Sequence, residues 1–146
     1  MYTIEKVWDY KGLKCVVLMV NDMGHRSGYV GVPRDNPYFG LYYGRPEVRD
    51  MDVHWGLTYS SRNPGEKYPV ETLIGKFLWW FGYDCGHYQD GLDVTVMPEE
   101  VAAIHRKYHE VEEYPVRSLD YCIRECESLA DQLVSVSDKP MEGGVK

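Results

Sequence analysis

The sequence predicts an α+β fold: an antiparallel sheet of five to six strands over residues 1–97, packed by a long C-terminal helix and one shorter helix. Three observations predict it. The first 96 residues alternate in the manner of strands, turn-forming clusters interrupt that alternation, and the apolar period lengthens to three and four after Pro98. With 146 residues, 44% of them hydrophobic, the chain can bury one core, so residues 1–136 are expected to form a single domain. Residues 137–146, with Pro, two Gly and few apolar side chains, are expected to form a flexible tail.

The elements follow in order. Tyr2–Tyr10 alternates partly, with Tyr2, Ile4 and Trp8 on one face, and Tyr10-Lys-Gly-Leu13 has the composition of a hairpin turn. Leu13–Val20 is apolar on both faces, as a central strand is. Asn21-Asp-Met-Gly24 turns the chain into a third strand over Ser27–Val32. Pro33 to Pro46 is loop by its Pro, Asn and Gly content, yet it carries Tyr38, Phe39, Tyr42 and Tyr43. A loop so long and so aromatic points to binding. Met51–Ser60 and Lys76–Asp84 are the next expected strands, and Leu92–Met97 is the candidate sixth, at an edge. Pro98 and two acidic residues start a short helix over Glu99–His109. Ser118 is placed to cap a long helix to Val136, in which Leu119, Ile123, Cys126, Leu129 and Leu133 recur at helical spacing.

Composition narrows function. The net charge of −7 sits in the C-terminal half: residues 1–76 hold 10 Lys+Arg against 9 Asp+Glu, residues 77–146 hold 6 against 14. Duplex nucleic acid requires a basic stripe, so it is excluded as a partner, whereas Arg26, Arg34, Arg45, Arg49 and Arg62 leave a small anion possible. The longest uncharged apolar run, Phe77–Tyr83, is far too short to span a bilayer, and the chain opens on strand-like pattern rather than a secretory signal. A membrane partner is not expected. The thirteen Tyr and four Trp outnumber three Phe, which favours surfaces that offer a flat face with a polar end. Cys15, Cys85, Cys122 and Cys126 lack an oxidising context, so disulfides are disfavoured. Cys85-x-His87 with Cys122 and Cys126 matches no standard zinc spacing.

Strand alternation places Asp52, His54, Gly56 and Thr58 on one face of 51–60, and Trp80, Gly82 and Asp84 on one face of 76–84. The simplest assembly turns the opposite sets, including Val53, Trp55, Phe81 and Tyr83, under the long helix. The first sets then line a pocket capped by Asp84-Cys-Gly-His87-Tyr-Gln-Asp90-Gly91. His54 also suits a structural role across strands, and His87 with Asp84 and Asp90 suits turn chemistry better than a metal site. His105 and His109 have zincin spacing, but Arg106 stands where the catalytic Glu belongs. No phosphate-loop, dinucleotide or nucleophile-elbow motif occurs, and no cofactor is expected.

The string Asp52-Val-His-Trp-Gly-Leu-Thr-Tyr-Ser60, followed by Trp79-Trp-Phe-Gly-Tyr-Asp-Cys-Gly-His87, resembles a family of small, uncharacterised proteins of tailed bacteriophages. Gly28-Tyr-Val-Gly-Val32 and Cys126-Glu-Ser-Leu-Ala-Asp-Gln-Leu133 extend the resemblance over nearly the whole chain. Many of those sequences carry Gly at the position of Trp55 and Ala at that of Gly86. The resemblance implies a phage protein acting in the cytoplasm of an infected bacterium. One class of such proteins sequesters nucleotide signals of bacterial defence, such as cyclic ADP-ribose isomers and cyclic oligonucleotides, often as homo-oligomers. On that reading the expected ligand-binding residues are Arg26, Tyr42, Tyr43, Arg45, His54, Trp55, Thr58, Trp80, Asp84 and His87. Rings would stack on bases, arginines would meet phosphates, and the Tyr38–Tyr43 loop or a second subunit would close the site. Two alternatives come from other classes. A hydrolase of such nucleotides would use His54 and His87 as acid and base. An inhibitor of a host enzyme would present the acidic helical half, including Glu110, Glu112 and Glu113.

Overall fold

The computed structural model describes residues 2–62, 77–108 and 114–135. A five-stranded antiparallel sheet is formed by β1 (Tyr2–Tyr10), β2 (Leu13–Val20), β3 (His25–Val32), β4 (Tyr59–Ser61) and β5 (Trp79–Asp84), in the order β1-β2-β3-β5-β4. Helices α1 (Glu99–Tyr108) and α2 (Leu119–Ser135) follow, so the α+β class is observed. The expected tail 137–146 lies outside the described residues. No helix among the described residues is long and apolar enough to cross a membrane.

Local chemistry explains the hairpins. Lys11 and Gly12 both take left-handed backbone (φ 50° and 80°), as the two central residues of a type I′ turn must. A bulge between Ile4 and Lys6 interrupts the β1–β2 register and sets Glu5 apart. That carboxylate pairs with Arg26 Nε at 2.6 Å.

Both faces of the sheet are covered, because β2 is apolar at every position but Lys14. On one face Cys15, Val17, Val30, Phe81 and Tyr83 pack against Cys122, Cys126, Leu129, Ala130 and Leu133 of α2. The other face holds Val16, Leu18, Tyr29, Leu78 and Trp80. Directly paired residues share a face, and Gly28 faces Tyr83 while Tyr29 faces Gly82. Each aromatic ring lies over the glycine across from it, one on each side of the sheet.

Helix α2 begins where its cap places it: Tyr121 N donates to Ser118 Oγ at 3.0 Å. Ser118→Ala is expected to cost about 1 kcal/mol in equilibrium denaturation, with no change of fold. Its far end is held by Asn36, whose side chain donates to the Leu133 carbonyl at 3.2 Å. The 33–46 loop is thereby drawn down, with Tyr38 buried in the main core and Phe39, Leu41 and Tyr43 packed against it.

Two expected strands are corrected. Met51–Ser60 is strand only from Tyr59; residues 51–58 run as turns and irregular chain, because their main chain bonds to α2 side chains instead of to a neighbouring strand. Leu92–Met97 contains a 3₁₀ turn, Val94–Val96, because the Asp93 side chain caps the Thr95 N–H at 2.9 Å. Helix α1 packs beside that turn.

Candidate functional site

The site is assembled from segment 51–58, loop 84–91 and the first half of α2. Two α2 side chains act as a substitute strand for the first segment. Gln132 accepts from Asp52 N and donates to Asp52 O, both at 2.8 Å. Glu125 Oε1 accepts from His54 N at 2.7 Å. Val53 and Leu57 point into the core, and Thr58 N rejoins the sheet by donating to Gly82 O at 2.9 Å. Between those fixed points the chain turns, closed by Gly56 N donating to Val53 O at 2.7 Å. Trp55 sits in that turn at φ 56°, a left-handed conformation that bulky side chains rarely adopt.

Trp55 remains 56% exposed, and one face of its indole stacks on His87, with centroids 5.3 Å apart and planes 14° from parallel. Loop 84–91 positions that histidine. Asp84 Oδ1 accepts from Gly86 N at 3.0 Å and Oδ2 from Thr58 Oγ1 at 3.2 Å, while His87 Nε2 lies 3.2 Å from Oδ1 without hydrogen-bond alignment. The loop closes on Asp90, whose carboxylate accepts from His87 N at 3.0 Å.

Asp90 is the centre of the network. Its side chain is fully buried, and it also accepts from Arg117 Nε at 2.9 Å and from His54 Nε2 at 2.9 and 3.0 Å. Burial pushes the carboxyl pKa up, but the hydrogen bonds from His54, Arg117 and the His87 amide outweigh it and leave it below the ordinary value. Asp90 is therefore charged and only accepts. Nε2 of His54 then carries the proton, and in the neutral ring Nδ1 accepts the Tyr121 hydroxyl hydrogen at 2.7 Å. Burial raises the Tyr121 phenol, which keeps that proton in place. The Arg117 guanidinium lies over the Tyr121 ring, 5.2 Å from its centroid.

An open groove of roughly 400 Å³ runs along this cluster, lined by Asp52, Val53, His54, Trp55, Arg117, Tyr121 and Glu125. Behind it lie buried thiols, with Cys85 Sγ 3.7 Å from Cys122 Sγ. No group of three or more His, Cys, Asp or Glu among the described residues is placed to hold a metal ion. Cys15, whose pKa burial pushes up to about 12, is an inert core thiol.

Of the residues expected from sequence, His54, Trp55, Thr58, Asp84 and His87 are brought together. Trp80 is not: it has no exposed surface and packs with Val16, Leu18, Tyr29 and Leu78, since residues 51–58 do not continue its strand face. Arg26 is used internally, bonded to Glu5 and to the Arg117 carbonyl, and so supports Arg117. Tyr42 and Tyr43 lie against each other with centroids 4.4 Å apart and ring planes tilted by 42°, and Arg45 pairs with Glu47; none of the three lines the groove. Glu110, Glu112, Glu113 and His109 lie outside the described residues. Asp52 belongs to the expected pocket face and lines the groove, and Asp90 belongs to the expected capping loop, whereas Arg117, Tyr121 and Glu125 were not expected. A polar stripe at intervals of four, Arg117-Tyr121-Glu125, was the available signal. Comparison with protein-family models, with curated proteins and with solved structures finds no match to this chain.

Proposed function

We propose that this chain is a phage-encoded protein that binds and sequesters a nucleotide immune signal, a cyclic ADP-ribose-type molecule or a cyclic oligonucleotide, blocking bacterial anti-phage defence in the infected cytoplasm. The observation that carries the reading is Trp55. A large aromatic side chain is held in a strained backbone conformation, exposed at the rim of a groove, with its inner face braced by His87. Such strain persists only where surrounding bonds enforce it, and here Glu125, Gln132 and the turn closure do so. The outer indole face then suits a nucleobase, with Arg117 in the same groove for a phosphate.

Retention rather than turnover is favoured by the state of His54. Both ring nitrogens are committed, to Asp90 and to Tyr121, so the ring positions its neighbours and has no lone pair for a ligand proton. The test mixes pure protein with ADP-ribose isomers and cyclic di- and trinucleotides, and follows each by chromatography before and after heat denaturation. A ligand that disappears and returns intact supports sequestration. A cleaved product replaces it with the hydrolase reading, and a panel left wholly unbound overturns the nucleotide reading. Trp55→Ala is expected to weaken binding by about tenfold or more, consistent with stacking energies of about 1–3 kcal/mol per base, without lowering the melting temperature.

A further inference from the structure

Resting on the cyclic-oligonucleotide form of that nucleotide reading, we infer that the groove selects a guanine base, which Glu125 and Asp52 recognise by its paired N–H donors, and so disfavours the adenine of a cyclic ADP-ribose-type ligand. The groove wall beside Trp55 is acidic: two carboxylates line it, with Arg117 the one guanidinium among the lining residues. Glu125 is preorganised, because its Oε1 already accepts the His54 amide, and a carboxylate offers about four lone-pair sites, so acceptor capacity remains. Asp52 is held by its main chain through Gln132, and its carboxylate makes no hydrogen bond among the described residues. One acceptor fixed by the His54 amide and a second carboxylate beside it, next to a stacking platform, repel a phosphate and the acceptor edge of a base. A phosphate is therefore directed to Arg117, whose Asp90 bond uses Nε and leaves the Nη groups without a hydrogen bond among the described residues.

The bases differ in what they present to a carboxylate. Guanine offers N1–H and the 2-amino group side by side, two donors that match one carboxylate. Adenine and cytosine place a ring acceptor beside their single amino group, and uracil flanks its one N–H with two carbonyls. A site built to accept hydrogen bonds rejects a ligand that leaves its acceptors unpaired more strongly than it rejects a change of size. Stacking on Trp55 serves any base, so discrimination falls to the carboxylates.

The experiment titrates the full chain with guanosine, inosine and adenosine monophosphates by calorimetry. The expected order is guanosine tightest, inosine weaker because it lacks the 2-amino group, and adenosine weakest, by about tenfold or more relative to guanosine. Glu125→Gln keeps an oxygen for the His54 amide but sets a donor against the guanine edge. It is expected to erase the guanosine preference while adenosine binding holds or rises. Adenosine binding the unaltered chain as tightly as guanosine overturns the guanine assignment and leaves the nucleotide reading standing. Failure of all three to bind at millimolar concentration overturns the guanine assignment, and the nucleotide reading falls with it only if the cyclic nucleotides also stay free. A Glu125→Gln variant with the original guanosine-to-adenosine ratio overturns the role of Glu125.

Discussion

Asp90→Ala is expected to destabilise the fold by about 3–5 kcal/mol, a lowering large enough to leave much of the protein unfolded near physiological temperature. Three donors converge on this one carboxylate: His54 Nε2–H, Arg117 Nε–H and the His87 amide. Truncation leaves all three without their acceptor in a place where the side chain of Asp90 has no exposure to water. Urea denaturation measures the loss; a change under 1 kcal/mol would show that water replaces the carboxylate readily. The pH dependence has a definite sign. Because the folded carboxyl titrates below the unfolded one, its stabilisation is complete above the unfolded value of about 4 and is lost as pH falls through the lower folded value. Acid unfolding of the wild type is thus expected to steepen below about pH 4, and Asp90→Asn, which cannot titrate, is expected to remove that contribution.

Gly28→Ala is expected to cost about 3 kcal/mol, near the top of the range for overpacking a core. A Cβ there would stand 2.5 Å from three atoms of Tyr83, its Cε1, Cζ and Oη. The ring cannot yield cheaply, because its hydroxyl donates to the Cys122 carbonyl at 2.8 Å and its edge is surrounded by α2. Moving the ring breaks that bond and lifts the helix from β3 and β5, so the melting temperature is expected to fall by roughly 6–12 °C. Gly82→Ala would meet Tyr29 on the other face at 2.6 Å and provides an independent comparison away from the helix. An unchanged melting temperature in both variants would contradict the interlocked glycine–tyrosine packing.

Legibility in the sequence followed the length over which one physical pattern was maintained. Helix α2 was readable because its apolar residues recur at helical spacing behind a capping serine, and the β1–β2–β3 meander because strong turn signals bound each strand-like run. Residues 51–58 misled because buried Val53 and Leu57 alternate with polar neighbours as a strand would, while the backbone bonds that define a strand are supplied by Glu125 and Gln132, 71 and 80 residues away. The same alternation set Trp80 in the pocket, where it is instead fully buried in the core, and turned Trp55 under the helix, whereas Trp55 is exposed beside the groove as the expected ligand-binding set had it. Arg117, Tyr121 and Glu125 were hidden for another reason: each is an ordinary surface residue type until the fold sets it along the groove.

The fastening of segment 51–58 has a consequence for sequence variation. Its ends are clasped, at Asp52 and His54 by the helix and at Thr58 by the Gly82 carbonyl, and no rung of the sheet passes through Trp55 or Gly56. A Cβ at Gly56 would meet nothing within 4 Å. The tip of this lip is therefore an exchangeable insert on a fixed frame. The side chain at 55 can be replaced, or the tip lengthened, without shifting strand register or exposing the core, while the φ of 81° at Gly56 favours glycine there. On the proposed nucleotide reading, ligand preference can drift at that tip while the sheet and helix that support it stay the same.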